Sequence, residues 1–180
     1  MSPGRIRSEK RVETHTAVPH LKAVGQAIRQ RLRQERFESP AHEAILNLLV
    51  AAAHVRERFD RLCEEHEITR GQYNVLRILR GVHPEGYPRC EIVERLIERA
   101  PDVTRLIDRL ESAGLAERVR SDRDRRLSMT RITRKGLKLL EDIRPAMDEA
   151  YRVFSDRLSA RDTKDLSRIC ESLYAEERAR

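Results

Sequence analysis

Tryptophan is absent from this 180-residue chain, and aromatic residues make up only 4% of it. Glycine and proline are scarce, at seven each. Such a composition favours helices over turn-rich architecture. There are three cysteines, Cys63, Cys90 and Cys170. An odd, widely spaced set does not make a disulfide framework. No run of 18 apolar residues occurs, so no membrane-spanning helix is expected. The opening "MSPGRIRSEKRVETHTAVPH" is basic but lacks the apolar segment of a secretory signal, and a cytoplasmic protein is expected. A glycine-rich phosphate loop, G-x-S-x-G, H-E-x-x-H and a cysteine pair at metal spacing are all missing. The sequence therefore predicts no enzyme, no cofactor and no metal site.

Charge is abundant. Charged residues make up 37% of the chain, against an ordinary share of about 25%, and the net charge is +7. Its placement matters more than its size. Residues 118–138 hold nine Arg or Lys against two Asp, and residues 1–38 hold nine against four Glu. The rest of the chain sums to −5. A localised basic patch on a near-neutral body is the electrostatic footprint of nucleic-acid binding; a merely solvated surface is the bland alternative. The stretch "RSDRDRRLSMTRITRKG", Arg120–Gly136, crowds guanidinium groups into one short turn. Self-repulsion there is no help to folding, and the turn makes sense with an anion against it.

The length suits one domain with a proper core. Residues 1–19 are polar, basic and aperiodic, and read as a disordered arm. Leu21, Val24, Ile28 and Leu32 give a thin apolar stripe on an extra basic helix within 20–37, weakened by Gly25. Ser39 and Pro40 open a long helix whose apolar residues, Ala41 to Leu62, follow a 3.6 period. Thr69 and Gln72 have capping-box spacing before "QYNVLRILR", which Gly81 ends. "VHPEGYP" reads as a loop. Two short helices follow, broken at "ERAP"; the second starts at Pro101 and stops at Gly114. That spacing fits a helix-turn-helix. "LAERVR" and "LSMTRI" read as a two-stranded ribbon with "SDRDRR" as its tip. Thr133 caps a last long helix, in which Leu140, Ile143, Met147, Ala150, Phe154 and Leu158 approach a heptad seam interrupted by Pro145. Ser159 and Asp162 cap a final helix carrying Leu166, Ile169, Cys170 and Leu173.

The fold class is therefore mainly α with a small antiparallel β wing: a winged helix-turn-helix lobe, 69–133, plus a helical dimerisation region, 38–68 and 134–180. The terminal helices carry more apolar surface than the small central unit can cover, which predicts a homodimer. Intramolecular packing in a compact bundle is the other solution.

At this point the chain resembles the MarR family of bacterial transcriptional regulators over about residues 39–176. The similarity is carried by Thr104, Arg105, Leu106, Asp108, Arg109, Leu110, Glu111, Gly114 and Leu115, then Asp124, Arg125 and Arg126, then Ile132, Thr133 and Gly136. "QYNVLRIL" also looks like the family helix that precedes the motif. The resemblance implies a homodimer with two winged lobes on a pseudo-palindromic operator in double-stranded DNA, released by a ligand or oxidant. The chain departs from the family pattern at Ile97 and Glu98, where Gly and an apolar residue are common, and at Pro101, a place often held by Ser. The basic N-terminal helix is an extension that many members lack.

On the expected recognition helix, Val103, Leu106, Ile107 and Leu110 point inward, leaving Asp102, Thr104, Arg105, Asp108 and Arg109 outward. The N-terminal turn of such a helix meets base edges. Thr104 suits a thymine methyl or a phosphate, and Arg105 a bidentate contact to guanine. Asp102 either accepts from a cytosine amino group or stabilises the helix N-terminus. Asp108 and Arg109 lie deeper and can simply pair with neighbours. In the ribbon, Asp124 can fix a guanidinium and accept turn N–H groups. Arg123, Arg125 and Arg126 are left for phosphates or the minor groove.

For the family's effector pocket the candidates are His54, Arg58 and Tyr73, each equally open to ordinary packing; the small-molecule effector itself is unknown. The urate-responsive branch uses a Trp, and the peroxide-sensing branch a Cys early in the long first helix. This chain has no Trp, and residues 39–55 hold no Cys. Cys63 with His66 is an i, i+3 pair and a weak zinc candidate. The rival to a DNA-binding regulator is a winged-helix module that binds proteins only.

Overall fold

A computed structural model describes residues 25–98, 102–120 and 128–175. The chain divides into two compact units, residues 1–48 and 49–180. The first holds α1 (Gln26–Leu32) and the start of α2 (Pro40–Glu64). Of the expected basic helix, the described part is α1, Gln26–Leu32. Gly25 (φ 85°) before it and Arg33 (φ 52°) after it are both left-handed, a conformation that ends helical runs. Leu21 and Val24 lie outside the described residues. α2 starts as expected: Ser39 Oγ accepts the His42 N–H at 3.1 Å, and Pro40 is the first helical residue.

The second unit continues α2 and adds α3 (Arg70–Arg80), β1 (Tyr87–Pro88), α4 (Arg89–Arg95), α5 (Val103–Ser112), β2 (Ala116–Arg120), β3 (Ser128–Ile132), α6 (Arg134–Ser155) and α7 (Ala160–Tyr174). Thr69 and Gln72 form the full capping box of α3. α4 ends at Arg95, short of "ERAP". Leu96 turns extended, and the Ile97 N–H is taken by the Asn74 side chain at 3.1 Å, so no further helical turn forms. The expected start of α5 at Pro101 lies outside the described residues.

α5 ends in a complete Schellman motif. The Gly114 N–H donates to Glu111 O and the Leu115 N–H to Leu110 O, both at 2.8 Å. Gly114 takes the left-handed φ of 69° that this closure requires. The Leu115 side chain is buried, like that of Leu110. The chain thereby turns straight into β2.

The ribbon has a third strand. β1 pairs antiparallel with β3 through Tyr87↔Thr130 and Pro88↔Met129, giving the order β1-β3-β2. "VHPEGYP" is thus part strand. Two residues are too few to show alternation, and Pro88 is tolerated because β1 is an edge. β2 and β3 pair from Ala116↔Ile132 to Arg120↔Ser128.

The core lies where α3, α5, α6 and the sheet meet. Val75, Leu76, Leu79, Ile92, Ile107, Leu110 and Ile143 are at most 1% exposed. Each such side chain contributes about 1.5–3 kcal/mol of burial. Leu140, Ile143 and Met147 belong to this core. Four of the six residues of the heptad-like seam, Leu140 to Ala150, are therefore buried inside the chain; Phe154 stays exposed, as does Tyr151 beside the seam. α6 continues through Pro145, which is exposed, so the Glu141 carbonyl it strands can meet water. α7 has no buried residue; Leu166, Ile169, Leu173 and Tyr174 are exposed. So are Ile45, Leu48, Leu49 and Val55 of α2. No helix among the described residues is long and apolar enough to cross a membrane.

Candidate nucleic-acid interface

The recognition helix α5 is two-faced, as its spacing demands. Val103, Ile107 and Leu110 are buried and Leu106 is half-buried, while Asp102, Thr104, Arg105, Asp108 and Arg109 are exposed. Asp102 caps the helix: one carboxylate oxygen accepts the Arg105 N–H at 3.0 Å, and the other stands 2.8 Å from Arg105 Nε. Arg105 remains 79% exposed in this pairing, so its outer nitrogens face solvent. Arg109 has no carboxylate within salt-bridge distance among the described residues.

Asp108 faces the wing instead. Arg118, on β2, reaches Asp108 at 2.5 Å and Glu111 at 2.6 Å, and its own N–H donates to Glu111 at 3.2 Å. These contacts tie the recognition helix to the ribbon, and they hold the Arg118 guanidinium more firmly protonated than usual, chiefly through Asp108. Behind them, Lys135 Nζ donates to Ala113 O at 2.8 Å and Thr133 Oγ1 donates to Gly114 O at 2.7 Å. Helix, wing and the start of α6 are thus fastened at one corner. The wing tip, with Arg123, Asp124, Arg125 and Arg126, lies outside the described residues; the register places it between Arg120 and Ser128.

Glu98, after α4, is held by two arginines. Arg70, at the start of α3, donates through Nε to Asp60 of α2 at 2.8 Å and grips Glu98 with both terminal nitrogens. Arg56 of α2 adds a contact to Glu98 at 3.4 Å. Arg70 holds the Glu98 carboxyl below the usual glutamate range.

The three effector candidates do not share one cavity. His54 and Arg58 line a cavity of about 220 Å³ between α2 and α6, with Phe59, Tyr151, Phe154 and Arg157. Tyr73 lines another, of about 250 Å³, between α3 and α6. Tyr151 borders both. Burial pushes the Tyr73 phenol up, against the opposing effect of Arg77. Cys63 is buried, and desolvation, helped by Asp60, pushes its thiol up to about 11, which keeps it protonated and unreactive at neutral pH. No group of three or more His, Cys, Asp or Glu suited to a metal occurs among the described residues.

Arg70, Glu98 and Arg118 are not singled out by any sequence pattern. Arg70 and Glu98 lie 28 residues apart, and no periodicity links them. The one available signal was Glu98 itself, a charged residue in a turn where the family favours an apolar one.

A tri-helical core, a three-stranded ribbon and an exposed polar face on the second motif helix define a winged helix-turn-helix transcription regulator. The family model described as MarR family matches residues 68–128. A MarR transcription factor from Planctomyces limnophilus, of solved structure, is 37% identical with a TM-score of 0.58; the match covers 76% of this chain and 98% of that one. Sco3205, a MarR family regulator from Streptomyces coelicolor solved in complex with DNA, has the same fold at 21% identity and a TM-score of 0.67, over 78% of this chain and 89% of that one. The regulator MhqR of Bacillus subtilis is 28% identical over 64% of this chain and 81% of its own. The homoprotocatechuate degradative operon repressor of Escherichia coli is 24% identical over 74% and 90%. The chain belongs to the MarR family of DNA-binding transcriptional regulators.

Proposed function

We propose that this regulator is a repressor that binds a pseudo-palindromic operator as a homodimer and responds to a small-molecule effector. The observation that carries the reading is α5. Its apolar side is buried in the lobe, while Thr104, Arg105 and Arg109 stand exposed on the other side, starting in its first turn. Arg105 reads a guanine, and Thr104 a thymine methyl or a phosphate. Asp102 orients Arg105 as well as capping the helix, which leaves it near the bases as a cytosine acceptor. Arg123, Arg125 and Arg126 of the wing tip meet phosphates or the minor groove, with Asp124 bracing the turn.

Exposed apolar residues on α2, the end of α6 and α7 support the dimer, with 38–68 and 134–180 as its interface and 69–133 as the DNA-binding lobe. An uncovered set of this size is rare on a monomer. The repressor role is supported by the operon repressor among the relatives. The effector sits in the α2–α6 cavity, where His54, Arg58 and Arg157 surround three aromatic rings. The protein acts in the cytoplasm.

Selection of bound sites from random duplex DNA tests the reading. Two inverted half-sites about one helical turn apart, centre to centre, are expected. A pool without enrichment would overturn it and favour a module that binds proteins only.

A further inference from the structure

α5 is more acidic than a helix that reads DNA should be. From its cap Asp102 to Ser112 it holds Asp102, Asp108 and Glu111 against Arg105 and Arg109, a net charge of −1. A bare carboxylate beside a phosphate backbone opposes binding. Asp102 is answered within the helix, by Arg105 at 2.8 Å. Among the described residues, no arginine of α5 lies within salt-bridge distance of Asp108 or Glu111. Their cation comes from the wing. Nη2 of Arg118 stands 2.5 Å from Asp108 Oδ1, and Nη1 stands 2.6 Å from Glu111 Oε2. The other Glu111 oxygen accepts the Arg118 N–H at 3.2 Å. β2 is an edge of the sheet, and Glu111 meets a donor on its open side. The three side chains are between 36% and 50% exposed, so whatever approaches this side feels their charge.

We propose that Arg118 is a positioning residue for DNA binding: it draws the Asp108 and Glu111 carboxylates toward β2 and offsets their charge, so that the exposed side of α5 can approach the phosphates. This rests on α5 as the DNA-reading helix and adds a residue that acts without touching the duplex. Both terminal nitrogens of Arg118 are committed to carboxylates, which leaves it poorly placed to grip a phosphate as well. With Arg118 counted, the helix and its wing cation sum to zero. Arg105 and Arg109 then meet the duplex without an opposing field beside them. The stability that two half-solvated pairs add is small, so their main effect falls on the approach of a polyanion, where like charges repel at close range.

The test uses the full chain and a duplex of mixed sequence, with affinity measured at several salt concentrations. Arg118→Gln should bind at least about fivefold more weakly than wild type at low salt, the factor that one close charge pair is worth in water. The deficit should shrink as salt rises, because screening removes repulsion. The triple variant, which adds Asp108→Asn and Glu111→Gln, should regain wild-type affinity although it has lost every contact of the cluster. A merely structural brace predicts the opposite: removing more of the cluster restores nothing, and the deficit does not depend on salt. A triple variant as weak as Arg118→Gln would therefore overturn the proposal. If circular dichroism shows Arg118→Gln unfolded, Asp108→Asn with Glu111→Gln decides, since it keeps Arg118. It should bind duplex more tightly than wild type, and weaker binding defeats the proposal. Wild type that binds while Arg118→Gln binds equally well overturns the role of Arg118 alone. Wild type that binds no duplex at any salt overturns the DNA reading of α5, and this proposal with it.

Discussion

Arg70 and Glu98 meet fork to fork: Nη1 stands 2.8 Å from one carboxylate oxygen and Nη2 3.2 Å from the other. Nε of the same guanidinium is committed to Asp60. One side chain thus joins α2, α3 and the segment that follows α4. Each charge is partly solvated, so the pair is a positioning contact more than a large source of stability.

Glu98→Gln should therefore cost about 1 kcal/mol or less in urea unfolding and weaken operator binding by more than that loss explains. The pH dependence has a definite sign. The folded-state pKa of Glu98 is lowered, chiefly by its hydrogen bonds from Arg70. Its stabilisation is therefore complete above the ordinary glutamate range and is lost as pH falls through the lowered value. The stability difference between wild type and Glu98→Gln should be constant near neutrality and shrink in acid. A difference that grows in acid would contradict the assignment.

Gly136 makes a second test. A Cβ there would stand 2.2 Å from the Leu115 carbonyl oxygen, which already accepts the Thr133 N–H. Backbone on one side and the buried Ile132 side chain, 2.7 Å away, on the other leave little room to yield. Gly136→Ala should destabilise by about 2–3 kcal/mol, the upper part of the overpacking range, despite alanine's better helix propensity. A neutral melting curve would show that the α5–β2–α6 corner is looser than this packing.

The dimer reading rests on α7. Ile169→Glu with Leu173→Glu puts charge on residues that are 48% and 63% exposed in the single chain. A monomer would tolerate both. A dimer through this face should dissociate, as sedimentation would show, and lose cooperative operator binding. An unchanged sedimentation coefficient would remove α7 from the interface.

Elements set by local chemistry were legible in the sequence. Ser39, Thr69, Thr133 and Ser159 cap the helices that their spacing assigns to them, and Gly114 closes α5 as a left-handed residue should. The exposed face of α5 followed from a 3.6-residue period. Features set by distant partners were not legible. β1 is two residues long and owes its existence to Thr130 and Met129. The α6 seam looked like an interface because periodicity reports burial without saying what does the burying; Leu140, Ile143 and Met147 are buried by their own lobe. Arg77 and Arg80 lie more than sixty residues from Arg144, and only the fold brings the three to one cavity.

Arg105→Ala should relax base preference at one position in each half-site, by about 1–3 kcal/mol of discrimination. Asp102→Ala, which frees Arg105 but removes the cap, should instead cost about 1 kcal/mol of stability and broaden the same position. Comparing selected motifs for the two variants with wild type separates reading from orienting. Identical motifs in all three proteins would rule out Arg105 as a base reader.

Whether the basic helix-and-wing surface binds DNA is decided by the salt dependence of duplex affinity, measured for wild type and for Arg125→Ala with Arg126→Ala. Binding by the wild type should weaken steeply with salt. The double variant should keep its melting temperature and bind all duplexes more weakly. Its log–log slope should be shallower by about 0.9 for each phosphate that a wing no longer neutralises. A lower melting temperature with an unchanged slope would mean that these arginines only brace the turn. Duplex affinity that is absent, or indifferent to salt, in the wild type would contradict DNA binding by this surface altogether.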